Sequence, residues 1–121
     1  QYNHLSTDIV KELAAKLAQL RALGVVDVVI DPGFGFAKNM EQNFQLLNEL
    51  SVFQELDCPL LVGISNKGMI YKTLGIEPAE ALNGTTVLNT IGLLQGAHII
   101  RVHQVKEAMQ CVRLLGTMLH Y

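Results

Sequence analysis

Residues 27–39 read DVVIDPGFGFAKN. A run of mostly β-branched residues, VVDVVI at 25–30, stops on Asp31 and passes into Gly33 and Gly35 alternating with Phe34 and Phe36. A strand apolar on both faces belongs in a parallel sheet covered by helices. A loop that only reversed the chain would not need two large aromatics. They either pack beneath neighbouring helices or form a wall of a site.

The surroundings repeat this arrangement. Upstream, Ser6, Thr7 and Asp8 offer N-caps for a helix with Ile9, Leu13, Leu17 and Leu20 on one face, and Gly24 is placed to end it. Downstream, Asn39 can cap a helix over 40–55, with Phe44, Leu47 and Leu50, or Leu46, Leu50 and Phe53, as the buried stripe. CPLLVG at 58–63 is a second strand, followed by a loop and short helix in ISNKGMIYKTLG. Pro78 begins another helical turn, a nearly apolar helix runs over 82–95, and HIIRVH at 98–103 is a third strand. Val105, Ala108, Met109, Val112, Leu115 and Leu119 line a last helix.

From Asp31 to Gly63 is 32 positions and from Gly63 to Arg101 is 38. A (β/α)8 barrel of about 250 residues gives each unit roughly 31. The spacing therefore predicts the C-terminal part of a (β/α)8 TIM barrel: about three β/α units preceded by a helix, as one partial domain over 1–121. A doubly wound open sheet is the alternative, because one sequence does not reveal strand order.

The chain has 121 residues, 50% hydrophobic and 17% charged, with a formal charge of −2. That suits one globular unit with a substantial core. No basic block tracks a phosphate backbone, so nucleic acid is not expected as a partner. No apolar run approaches the roughly 18–20 residues that span a bilayer, so no membrane is expected either. Cys58 and Cys111 are isolated, which predicts two buried free thiols and a cytoplasmic protein. The chain opens on Gln1 rather than Met, as it would if something preceded it.

Each strand hands over a polar group where it ends: Asp31, then Lys67 four residues past Gly63, then Arg101 and His103. Residues two apart on a strand share a face, so Arg101 and His103 should point the same way. Function collects at the carboxyl ends of strands in barrels and open sheets alike. Each residue also has a plainer reading: Asp31 as a turn residue before proline, Lys67 as a solvated side chain, Arg101 and His103 as a structural pair. Three such strand ends in succession favour a ligand site. GFGFAK has Lys38 where a dinucleotide fingerprint needs its third glycine, and GISNKG lacks the lysine and hydroxyl of a phosphate loop at Met69 and Ile70. His4, His98, His103 and His120 show no metal-ligand spacing, and no Ser-His-Asp set is evident.

DPGFGFAKN at 31–39, LLVGISNKG at 60–68 and GAHIIRVHQVKEA at 96–108 together resemble the last three strand-end motifs of bacterial dihydropteroate synthase. The likeness runs over essentially the whole chain and covers about the C-terminal half of that enzyme. It implies the condensation of 6-hydroxymethyl-dihydropterin diphosphate with p-aminobenzoate, giving dihydropteroate and diphosphate. On that resemblance Asp31 accepts from the pterin N–H edge, Lys67 donates to the ring carbonyl, and Arg101 and His103 hold the departing diphosphate. Mg²⁺ would be bound mainly through the diphosphate oxygens. Gly35, Phe36, Gly63 and Gly68 would border the two substrates, with Lys67, Arg101 and His103 as the catalytic groups.

The family usually has Ser-Arg-Lys-Ser where this chain has Ser65, Asn66, Lys67 and Gly68, and R-V-H-D where it has Gln104. Gly68 lacks a hydroxyl for the aminobenzoate carboxylate, an expected loss of about 1.5–3 kcal/mol. The 121 residues alone should be an inactive half that associates, as a homodimer or otherwise, through open barrel edges. Two other functions fit the scaffold: a pterin barrel of the methyltetrahydrofolate methyltransferase kind, or a module without catalysis. The cations favour the synthase, because a diphosphate needs them and a methyl group does not.

Overall fold

A computed structural model describes residues 4–35 and 38–120. Helix α1 (Leu5–Ala22) starts earlier than the Ser6–Asp8 caps suggest, on His4, which makes no side-chain cap. Ser6 lies inside the first turn instead, where its hydroxyl donates to Glu49 Oε1 at 2.7 Å. The helix ends as its sequence predicts. Gly24 takes φ +89°, its N–H donates to Arg21 O, and the Val25 N–H donates to Leu20 O, the paired bonds of a Schellman stop.

Three extended segments then lie side by side in chain order. Ile30 bridges Leu60 in parallel, and β1 (Leu61–Val62) pairs in parallel with β2 (Ile99–Ile100), Leu61 opposite Ile99. Consecutive segments are thus neighbours, without the reversal of order that marks a doubly wound sheet. The strands are shorter than expected from sequence. Residues 25–30 make a single bridge rather than a six-residue strand, and Val26 and Val29 remain 83% and 50% exposed. That segment pairs on one side only, within a ladder that begins at Pro59, whose nitrogen carries no proton. The third strand stops at Ile100, with one further bond from the Arg101 N–H to Val62 O.

The helix expected over 40–55 is divided. Asn39 caps α2 (Met40–Asn48) in a full capping box with Gln42, and a 3-10 segment follows at Leu50–Leu56. Leu47, Leu50, Phe53 and Leu56 recur every three residues and are all buried. That spacing suits three residues per turn, so tightening the helix keeps all four in the core. Helix α3 is Gly68–Leu74, a 3-10 turn spans Pro78–Glu80, and α4 is Leu82–Leu94.

Helix α4 buries its polar and small residues, Thr85, Asn89 and Gly92, while Val87 and Leu94 stay exposed. A Cβ on Gly92 would lie 3.7 Å from Val62 Cγ1, so the helix approaches the sheet closely there. In α5 (Val105–Leu119) the buried positions are Ala108 and Cys111, with Leu115 half-buried. Val105, Met109, Val112 and Leu119, assigned to the core by periodicity, are exposed. The line of Ala108 and Cys111 is the one that meets α4, where Thr90 Oγ1 donates to Cys111 Sγ at 3.7 Å. Both cysteines are free, but Cys58 is only half-buried, with Arg21 Nη2 at 3.8 Å from its sulfur. Among the described residues no helix is long and apolar enough to cross a membrane.

Candidate functional site

The polar groups of all three segment ends converge. Asp31 Oδ1 accepts from the Gly33 N–H at 2.9 Å, closing a turn. Its Oδ2 accepts from Arg101 Nη1 at 3.3 Å, so one carboxylate both closes the turn and pairs with the arginine of the third segment. The two side chains are 36% and 54% exposed, which limits this ion pair to about 1 kcal/mol. It orients the guanidinium more than it stabilises the fold.

Arg101 crosses directly over Gly63. A Cβ there would lie 2.7 Å from Arg101 Cζ, so the glycine leaves room for the guanidinium to reach Asp31. His103 turns to the same end of β1 and meets Ser65. The His103 N–H donates to Ser65 Oγ at 3.1 Å, and that hydroxyl lies 2.8 Å from His103 Nδ1. With Oγ accepting from the backbone, its proton can go to Nδ1, leaving the ring proton of a neutral imidazole on Nε2. Arg101 and His103 therefore rest on successive parts of one loop, 63–65.

Lys67 reaches the other way. Its Nζ donates to Phe34 O at 2.6 Å, and its chain lies against Gly35, 3.5 Å from where a Cβ would stand. Gly35 takes φ +88°, and its N–H donates to the buried Asn43 Oδ1 at 2.8 Å. Asn43 Nδ2 donates in turn to Asn39 O at 3.1 Å, tying the glycine loop to the start of α2. Lys38 Nζ adds a bond to Gly33 O at 2.8 Å. Burial lowers the Lys67 pKa from its ordinary 10.5, Arg101 and Lys38 lower it further, and Asp31 opposes them. Phe34 itself is 1% exposed, so the first aromatic of the opening motif belongs to the core. Phe36, read as a wall of the site, lies outside the described residues.

Asn66 is in the left-handed region at φ 56°, which asparagine tolerates better than most residues. Its N–H donates to the buried Thr85 Oγ1 at 3.1 Å, and that hydroxyl donates back to Asn66 Oδ1 at 3.1 Å. The side chain standing where the resemblance has a cation is thus a turn anchor held by α4. Sequence reading named Ser65 and Asn66 only as motif members and missed Asn43 and Thr85. Asn43 was open to inference, four residues after its cap and on the inner face of α2; Thr85 had no signal beyond its polarity in an apolar helix.

A cleft of about 240 Å³ opens beside Lys67, lined by Gly35, Lys38, Met40, Asn43, Gly68, Met69, Tyr71 and Lys72. A second, apolar cavity of about 210 Å³, bordered by Phe44, Ile70, Leu74 and Val87, shares Met69 with the cleft and is lined by none of the segment-end groups.

The family model for pterin binding enzymes matches residues 1–103. The chain belongs to the pterin binding enzyme family. Within it, this chain is 38% identical over 117 residues to the dihydropteroate synthase of Escherichia coli (strain K12), a match covering 95% of this chain and 42% of the relative. The dihydropteroate synthase of Bacillus subtilis (strain 168) is 32% identical over 98% of this chain and 42% of its own length. The crystal structure of the Yersinia pestis dihydropteroate synthase superposes with a TM-score of 0.95 at 36% identity, covering 100% of this chain and 51% of that one. The described fold is therefore part of a TIM barrel, and the chain spans about half or less of each of these relatives.

Proposed function

We propose that this chain supplies the C-terminal part of a dihydropteroate synthase of folate biosynthesis, a transferase that joins p-aminobenzoate to a pterin diphosphate. The observation that carries this reading is the convergence of Asp31, Lys67, Arg101 and His103 at the ends of three adjacent parallel segments. An aminopyrimidinone edge presents N–H donors, and Asp31 is the carboxylate to accept them. Lys67 sets a positive charge beside the glycine loop, at the pterin. Arg101, and His103 through its Nε2–H, receive the diphosphate as it leaves. The aniline nitrogen is neutral at pH 7, so positioning and anion stabilisation suffice, with no strong base.

Among the described residues no group of three His, Cys, Asp or Glu could hold a metal, and the segment-end groups include two cations, Lys67 and Arg101. That donor set fits a magnesium ion carried on the diphosphate, where it would add charge neutralisation to the leaving group. The one continuous core running from Ile30 to Ala81 supports a single partial barrel domain. The two free cysteines support a reducing, cytoplasmic setting.

The test is dihydropteroate formation from both substrates by the barrel carrying this chain. Formation dependent on both is expected, with binding but no turnover by the 121 residues alone. A barrel that neither binds the pterin diphosphate nor releases diphosphate would sink the proposal. The exposed Val26, Val29 and Ile99 at the two sheet edges support association of the isolated chain, as a homodimer or larger species. Light scattering checks this, and a monodisperse monomer contradicts it.

A further inference from the structure

We infer that Lys72 is a specificity-determining residue, the cation that anchors the carboxylate of the p-aminobenzoate substrate in the cleft beside Lys67. The inference rests on the proposed function and adds a residue to it. Lys72 lies four positions after Gly68 in α3, so the two share one helix face. The Lys72 chain runs over that glycine: a Cβ on Gly68 would stand 3.5 Å from Cδ and Cε and 3.8 Å from Nζ. The ammonium thus occupies the neighbourhood into which a side chain at position 68 would project.

The three lysines of the cleft are engaged differently. Lys67 and Lys38 each donate to a carbonyl of the glycine loop, Phe34 O and Gly33 O. Lys72 makes none of the described hydrogen bonds or ion pairs, and no carboxylate lines the cleft among the described residues. The nucleophile's geometry supplies the direction. Its amine must approach the pterin near Lys67 and Arg101, so its carboxylate, para on the ring, points away from them along the cleft. Lys72 is the remaining ammonium of the cleft, which Tyr71 and Met40 also line. A charge-assisted bond there offsets the missing hydroxyl at Gly68.

Calorimetric titration of the barrel carrying this chain, with p-aminobenzoate and with its uncharged isostere p-aminobenzamide, tests the assignment. The wild type should prefer the carboxylate by about ten-fold, the worth of one hydrogen bond to a charged group. Lys72→Met should abolish that preference by weakening p-aminobenzoate alone, and Lys72→Arg should keep it. Lys72 is exposed, so these substitutions leave the core untouched. A preference equal in wild type and Lys72→Met overturns the inference. A preference lost in Lys72→Met by a protein that forms no dihydropteroate supports the anchor and sinks the synthase reading instead.

Discussion

Lys67→Met is expected to lower kcat/KM for dihydropteroate formation by about 10²–10³, the cost of removing one preorganised donor from a site where charge develops. Methionine keeps the length of the chain and removes the ammonium that donates to Phe34 O. The wild-type pH profile carries the same signature. Burial first, then Arg101, hold the Lys67 pKa below its ordinary 10.5, so the active ammonium is lost at lower pH than from a free lysine. Removing the neighbouring charge in Arg101→Met should move that alkaline limb to higher pH, even though the rate falls. Removing the opposing carboxylate in Asp31→Asn should move it lower. A limb that stays in place in both variants would mean that Lys67 does not set it. The stability sign follows from the same shift. Between the lowered folded pKa and 10.5 the unfolded chain binds more protons, so stability rises with pH through that window.

Much of this site was legible because strand ends announce themselves by a change of chemistry. VVDVVI to Asp31, LLVG to Lys67 and HII to Arg101 each pass from β-branched or aliphatic residues to a charge, and the structure brings those charges to one end of one sheet. Capping was legible for the same local reason: Asn39 with Gln42, and Gly24, need only their immediate neighbours. What could not be read depended on partners distant in sequence. The division of the helix at Glu49 follows from burying Leu47, Leu50, Phe53 and Leu56 together, which no local propensity states.

Helices α4 and α5 show the same limit more sharply. Hydrophobic periodicity placed Ala108 together with Met109, Val112 and Leu119 on the lining face, yet of these only Ala108 is buried, beside the unassigned Cys111, because close helix contact selects small residues over large ones. In α4 the inward face is Thr85, Asn89 and Gly92. Thr85 is there for Asn66, a contact across 19 positions. The polar residue of an apolar helix was the signal, and its meaning lay in the turn it holds.

Phe34→Ala is expected to cost about 3–5 kcal/mol of unfolding free energy, the range for emptying a buried phenylalanine site. Against the roughly 5–15 kcal/mol typical of a domain, that is from about a fifth to all of the total. Urea unfolding reads it as a drop in midpoint without a change of slope. Phe34→Leu, which refills most of the volume, should lose clearly less. The aromatic is 1% exposed and packs in the cluster that includes Ile30 and Ile64, while its carbonyl takes the Lys67 ammonium. One residue thus fixes the loop from below and receives the site's lysine from above. The alanine variant should therefore lose activity even at temperatures where it stays folded, because the carbonyl is no longer held over the core. A loss of stability under about 1 kcal/mol would place Phe34 outside the core and remove the reason for an aromatic in this loop.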